Sequence, residues 1–168
     1  MTLEPLPDHP DQETLAYRRA LGAFATGVCV VTADAEGGPV GITINSFASV
    51  SLSPRLVVWS LDERSERWPA FAGAERFAIH VLPSEDSDLA TRFARGVCTL
   101  EPGEYERRGD GPPGLPEALA RFECVAHARI QMGDHLMIVG RVEAFHARPG
   151  DSLTYFRGRY GVAQEPEE

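Results

Sequence analysis

Residues Phe122 to Phe145 read FECVAHARIQMGDHLMIVGRVEAF. Over the first ten, Phe122, Cys124, Ala126, Ala128 and Ile130 alternate with Glu123, Val125, His127, Arg129 and Gln131. Side chains of an extended strand point alternately to opposite faces, so a period of two held this long marks a strand. Met132-Gly133-Asp134 then supplies a turn, and His135 to Phe145 returns as a long apolar strand, antiparallel to its predecessor. This hairpin sets the fold class as mainly β and antiparallel.

Working towards the amino terminus, Gly96 to Pro116 is rich in Gly, Pro and charge and reads as a long surface loop, of the functional or mobile kind. Residues 85–95 read as a helix, with Leu89 and Phe93 four apart. Strands are expected over Phe77–Leu82, Leu56–Leu61, Val40–Ser46 and Val28–Thr32, the last two joined at Gly37-Gly38-Pro39 as a hairpin. Ser65–Phe71 is a short helix or turn. Residues 11–25 form a helix capped by Asp11, with Tyr17, Leu21 and Phe24 along one face and Gly27 beyond its end. Tyr155 to Tyr160 forms an aromatic and arginine-rich tail element. Five or six strands with few helices favour a closed sheet, since closure removes exposed edges; an open α+β sheet is the alternative. One domain is expected over 11–162, with flexible tails at 1–10 and 163–168.

Composition narrows the chemistry. The 168 residues carry a net charge of −9, which disfavours phosphate backbones and anionic lipid in general while leaving room for a local basic pocket. All sixteen basic residues are arginine, which removes a Walker-type phosphate-loop lysine, a Schiff-base lysine and a lysine general base. The amino terminus, MTLEPLPDHPDQET, has no apolar segment of a secretion signal, and no stretch reaches the eighteen or so apolar residues of a membrane span. A cytoplasmic protein with no nucleic-acid or membrane partner is the expectation. Cys29, Cys98 and Cys124 are odd in number and widely spaced, as expected of reduced thiols. Cys124 and His127, three apart on a strand, face opposite sides, so no metal site is expected.

Gly109-Asp110-Gly111-Pro112-Pro113-Gly114 satisfies G-x-G-x-x-G, but it follows EYERRG rather than a strand and includes two prolines that lack N–H donors. It is not a dinucleotide fingerprint. No G-x-S-x-G elbow is present. Gly41 to Pro54, GITINSFASVSLSP, offers hydroxyls, one amide and backbone donors around Phe47 and Val50 with no charged side chain. Such a surface suits a flat ligand with polar edges, although an edge strand and a serine-rich turn explain it equally well. Gly133-Asp134-His135 places an imidazole at a hairpin turn, within reach of a cavity.

Taken in order, FATGVCVVTA (Phe24–Ala33), GITINSFASVSLSP (Gly41–Pro54), RFAIHVLPSEDSDLATRFA (Arg76–Ala94), FEC (Phe122–Cys124), GDHLMIVGRVEAF (Gly133–Phe145) and LTYFRGRYG (Leu153–Gly161) resemble the short-chain flavin reductase family. Its members are the small reductase components of two-component flavin monooxygenases. The resemblance covers residues 17–162 and implies an FMN-binding split barrel, an antiparallel Greek-key β-barrel. It also implies a homodimer with flavin near the subunit interface, reduction of FMN or FAD by NADH or NADPH, and a flavin-dependent monooxygenase as partner. By position, Thr43, Ile44, Asn45, Ser46, Phe47, Ala48 and Ser49 match the stretch lining the flavin ring. Ser60, Ser65 and Trp68 match its ribityl and phosphate region. Arg92 and Phe93 match the RF of the helix, with Arg92 or Arg157 available to meet phosphate.

His135 matches the GDH histidine expected beside the nicotinamide, where it orients the carboxamide or relays a proton. Tyr155, Phe156, Arg157, Gly158 and Tyr160 match the element closing that pocket. The hydroxyls of Thr43 and Ser46 are expected to stabilise negative charge on the reduced ring. Two departures stand out: Pro54-Arg55 where the family often has Pro-Pro, and His80, expected half-buried and structural, where it often has Asn. The same ring-binding residues would also serve a protein holding FMN as an electron carrier, or a flavoenzyme acting on its own organic substrate.

Overall fold

The computed structural model describes residues 11–167, so the tail expected over 1–10 lies outside the described residues. Helix α1 (Gln12–Leu21) begins as the sequence predicts: the Thr14 N–H donates to Asp11 Oδ1 at 2.7 Å. It ends earlier than expected, at the Gly22 cap rather than at residue 25. Tyr17, Leu21 and Phe24 do not face a core; they are exposed, Phe24 at 78%.

The strands follow as β1 (Thr26–Gly27), β2 (Cys29–Ala35), β3 (Gly38–Ile44), β4 (Ala48–Leu52) and β5 (Arg55–Asp62). Then come α2 (Trp68–Phe71), β6 (Arg76–Val81), α3 (Ser87–Arg95), β7 (Ala120–Met132), β8 (His135–Ala147), β9 (Ser152–Phe156) and β10 (Arg159–Ala163). The decisive hairpin is β7–β8, paired from Ala120↔Ala147 to Met132↔His135, with Gly133 at φ 61° in its turn. Strand β4 has no counterpart in the strand list read from the sequence: its five residues alternate apolar and polar but lie within the serine-rich 41–54 stretch, with Ala48, Val50 and Leu52 exposed.

A seven-stranded antiparallel sheet runs in the order β3-β2-β6-β7-β8-β5-β4. Its two edge strands are consecutive in the chain, joined only by Asn45, Ser46 and Phe47. Three residues bridge at most about 14 Å between Ile44 and Ala48, whereas a flat sheet separates its first and seventh strands by about 29 Å. The sheet therefore curls until its edges nearly meet, and the 45–47 segment crosses the seam. The tail is a second, three-stranded sheet, β1-β9-β10. Ala163 closes β10, and Glu165 exchanges hydrogen bonds with Gly150 N and Asp151 Oδ1, so the expected flexible tail starts too early.

Strand β2 is buried on both faces, which is why it reads as a continuous apolar run rather than an alternation. Cys29, Val31 and Ala33 enter the main core with Trp59, Phe71, Phe77 and Ile138. Val28 and Val30 face a second core under α3, with Leu82, Phe93, Leu100, Leu115 and Leu153. Helix α3 sits close on β3 because Gly41 carries no Cβ; one there would lie 2.8 Å from the Phe93 ring.

The 96–119 segment departs most from expectation. It is anchored along its length and is not a mobile surface loop. Leu100 and Leu115 are buried, Gly41 N donates to Cys98 O, and Leu100 N donates to Pro39 O. Arg92 pairs with Glu104 at 2.6 Å and Arg107 with Asp34 at 2.6 Å. Gly109–Gly114 is indeed no phosphate loop: Gly114 packs on the guanidinium of the fully buried Arg121, where a Cβ would meet Cζ at 1.8 Å. Arg121 reaches Glu106 at 2.9 Å and Glu123 at 2.7 Å.

His80 completes the clamp. It is fully buried, not half-buried. The Leu115 N–H donates to its Nε2 at 3.0 Å, so Nδ1 carries the hydrogen and donates to Val30 O at 3.0 Å. Burial pushes its pKa down to about 3, keeping the ring neutral. It is a structural bridge and not a second catalyst.

Candidate active site at the sheet seam

A cavity of about 310 Å³ opens where the end of β3 meets the last turn of α3 and the β9–β10 hairpin. Thr43, Ile44 and Asn45 form one wall, Thr91, Ala94 and Arg95 a second, and Tyr155, Gly158 and Tyr160 a third. The two tyrosine rings lie 5.6 Å apart. The tight β9–β10 turn places Arg157 at φ 48° and Gly158 at φ 80°, and the Arg157 N–H donates to Gly22 O at 2.9 Å, tying the hairpin to the end of α1. Beyond it, a crevice of about 730 Å³ lies between α1 and the hairpin and shares Asn45, Tyr155 and Gly158 with the first cavity.

Six residues expected to bind flavin or nicotinamide thus line one cavity: Thr43, Ile44, Asn45, Tyr155, Gly158 and Tyr160. Arg157 lines the adjoining crevice, and Phe156 is exposed with the Arg157 guanidinium 5.3 Å from its ring. Ser46 lies just across the seam, where its Oγ accepts from Ser60 N at 2.9 Å. Phe47 turns inward and stacks on Phe122 at 5.6 Å. Ala48 and Ser49 start the exposed edge strand β4. The Ser65 hydroxyl accepts from Arg67 N at 3.2 Å, and Trp68 opens α2 against the main core. His135 stands apart from both cavities, at the β7–β8 turn opposite Asp62 of β5, with Nδ1 2.7 Å from Asp134 Oδ1.

Several expected roles change. The Arg92 side chain is held by Glu104 and by the carbonyls of Val97 and Thr99, so it anchors the 96–119 segment rather than waiting for phosphate. Phe93 is fully buried core. The Thr43 hydroxyl donates to Ala90 O at 2.7 Å, so it positions α3 and does not donate to a ligand. Ser46 Oγ likewise holds β5 across the seam. The arginine that does face the cavity is Arg95, and among the described residues it has no carboxylate partner. Helical spacing could have found it: Thr91 and Arg95 are four apart and share a face, while Arg92 looks elsewhere.

The chemistry available is limited in an informative way. Neither cavity is lined by a carboxylate. Cys29 and Cys124 are buried thiols whose pKa burial pushes up to about 12, which leaves them inert as nucleophiles. Among the described residues no group of metal-ligating side chains forms. What the site offers is flat aromatic surface, an amide, backbone groups and arginine, which suits holding a planar, anionic cofactor that brings its own reactivity.

The family model for the flavin reductase like domain matches residues 21–164. The chain is 47% identical over 150 residues to the FMN reductase (NADH) SmoA of Agrobacterium fabrum, covering 89% of this chain and 86% of that one. It is 46% identical to a probable flavin reductase of Rhizobium meliloti over 86% of this chain, spanning about half (47%) of that relative's length. Its fold superposes on the styrene monooxygenase flavin reductase of Pseudomonas putida S12 with a TM-score of 0.79, at 31% identity, covering 90% of this chain and 99% of that one. With the family model spanning nearly the whole described chain and a relative 47% identical over 150 aligned residues, the chain belongs to the flavin reductase like domain family.

Proposed function

We propose that this protein oxidises NADH or NADPH and reduces FMN or FAD at the seam cavity, supplying reduced flavin to a partner monooxygenase. The observation that carries this reading is the convergence of Thr43, Ile44, Asn45, Tyr155, Gly158 and Tyr160 on one cavity within a flavin reductase like domain. Flavin, when bound, supplies the electron-accepting ring, and the nicotinamide supplies two electrons and a proton equivalent. The chain's own residues bind and orient. Tyr155 and Tyr160 offer faces for stacking, the Asn45 amide hydrogen-bonds a ring edge, and Arg95 meets phosphate. His135, beside Asp134, lines neither cavity, and its assignment to the nicotinamide carboxamide rests on the family match of Gly133-Asp134-His135 alone.

The curled sheet with a seam between consecutive edge strands supports a Greek-key split barrel. Val50, Leu52 and Phe145 are exposed around the β4 edge, Leu52 at 90%, which supports burial of that face in a homodimer. The proposed setting is cytoplasmic; no helix among the described residues is long and apolar enough to cross a membrane. The test is NADH and NADPH oxidation by purified protein while FMN or FAD is titrated. Oxidation that rises and saturates with free flavin is expected. A yellow protein whose oxidation ignores added flavin would instead indicate a carrier or a dedicated flavoenzyme.

A further inference from the structure

The crevice beside the ring cavity is basic in an acidic protein. The chain carries a net charge of −9, yet Arg18, Arg19 and Arg157 line this crevice and no Asp or Glu does. Among the described residues none of the three has a carboxylate partner. Between them the lining is apolar: Leu15, Phe24 and the Tyr155 face it shares with the ring cavity. Arginine forks match phosphate oxygens, and an aromatic or aliphatic wall accepts a purine. At about 730 Å³ the crevice falls within the range that holds small-molecule ligands.

We propose that this crevice holds the adenosine diphosphate arm of the dinucleotide whose reacting ring sits in the adjoining cavity, with Arg18, Arg19 and Arg157 meeting its phosphates. This rests on the flavin reductase reading and extends it to residues of α1, which lie outside the ring-binding segments. Continuity is what selects this occupant. Asn45, Tyr155 and Gly158 border both spaces, so a molecule with its ring on one side of the hairpin turn has its arm on the other. The same arm belongs to FAD and to NADH, and experiment separates the two.

ADP itself is the first probe, by calorimetry with the wild-type protein, an Arg18→Gln/Arg19→Gln double variant and Arg157→Gln. Arg141→Gln, on β8, removes the same charge elsewhere. ADP binding that weakens about tenfold in the crevice variants and not in Arg141→Gln is expected. If the arm is the flavin's, FAD affinity falls about tenfold while FMN affinity holds; if it is the nicotinamide's, the KM for NADH rises about tenfold while both flavin affinities hold. ADP bound equally by all variants, or FMN weakened as much as FAD, would overturn the assignment. Flavin-dependent NADH oxidation by the wild type is scored separately: its presence beside unaltered ADP binding sinks this inference alone, and its absence beside arginine-dependent ADP binding sinks the reductase reading alone.

Discussion

Two irregular regions of this chain each carry two arginines and meet opposite fates. The 96–119 segment has five glycines and five carboxylates, whereas the seam around residues 43–49 with the 155–160 hairpin has one glycine and no carboxylate. The first is tied down by partners around it: Glu104 pairs with Arg92, Glu106 pairs with Arg121, and the Leu115 N–H donates to His80. In the second, Asn45 and Arg157 face open space, as does Arg95 on the neighbouring α3. The difference teaches that a glycine- and charge-rich stretch need not mark a site, whereas polar groups left facing open space do.

The sealed region should break with large stability losses and no special effect on ligand. Arg121→Ala strands Glu123 and Glu106 beside the core and is expected to cost about 3–5 kcal/mol, read by chemical denaturation. Gly114→Ala drives a methyl into the Arg121 guanidinium and should cost about 1–3 kcal/mol in the same assay. His80 sharpens the comparison through pH. Its folded pKa, down to about 3, lies below the ordinary 6.5, so between those values the unfolded chain binds a proton that the folded chain does not. Stability should therefore be full above about pH 6.5 and fall as pH drops towards 4, with a slope that shrinks in His80→Gln, measured by thermal melts across pH. Glu104→Gln, at a partly exposed pair, should cost only about 0.5–1 kcal/mol. At the open region Asn45→Ala should leave melting within about 0.5 kcal/mol of wild type, while flavin affinity drops about tenfold in a fluorescence titration.

Much of this was legible in sequence because it rests on local rules. Period two over 122–131 and the Gly133 turn gave the β7–β8 hairpin, and Asp11 gave the α1 cap. The match to family segments placed Thr43, Asn45 and Tyr155 together before any geometry was known. What sequence could not show is which polar groups find partners far along the chain. Arg92 and Arg95 look alike in TRFAR, and only the fold gives Glu104 to the first and the cavity to the second. His80 and Arg121 are clamps because Leu115 returns to the first across 35 residues and Gly114 packs on the second from seven residues away, contacts set by the fold. Strand β4 alternates apolar and polar residues over only five positions inside the serine-rich 41–54 stretch, and its apolar side chains are exposed, so it does not stand out as a core strand.

The central claim, that flavin is held at the seam cavity, is tested most directly by titrating flavin into Ala94→Trp beside the wild type. Ala94 lines the cavity from an exposed position on α3, so an indole there fills the space without entering the core. The account predicts at least about a tenfold loss of FMN affinity with an unchanged melting temperature; wild-type affinity in a folded Ala94→Trp protein would contradict it.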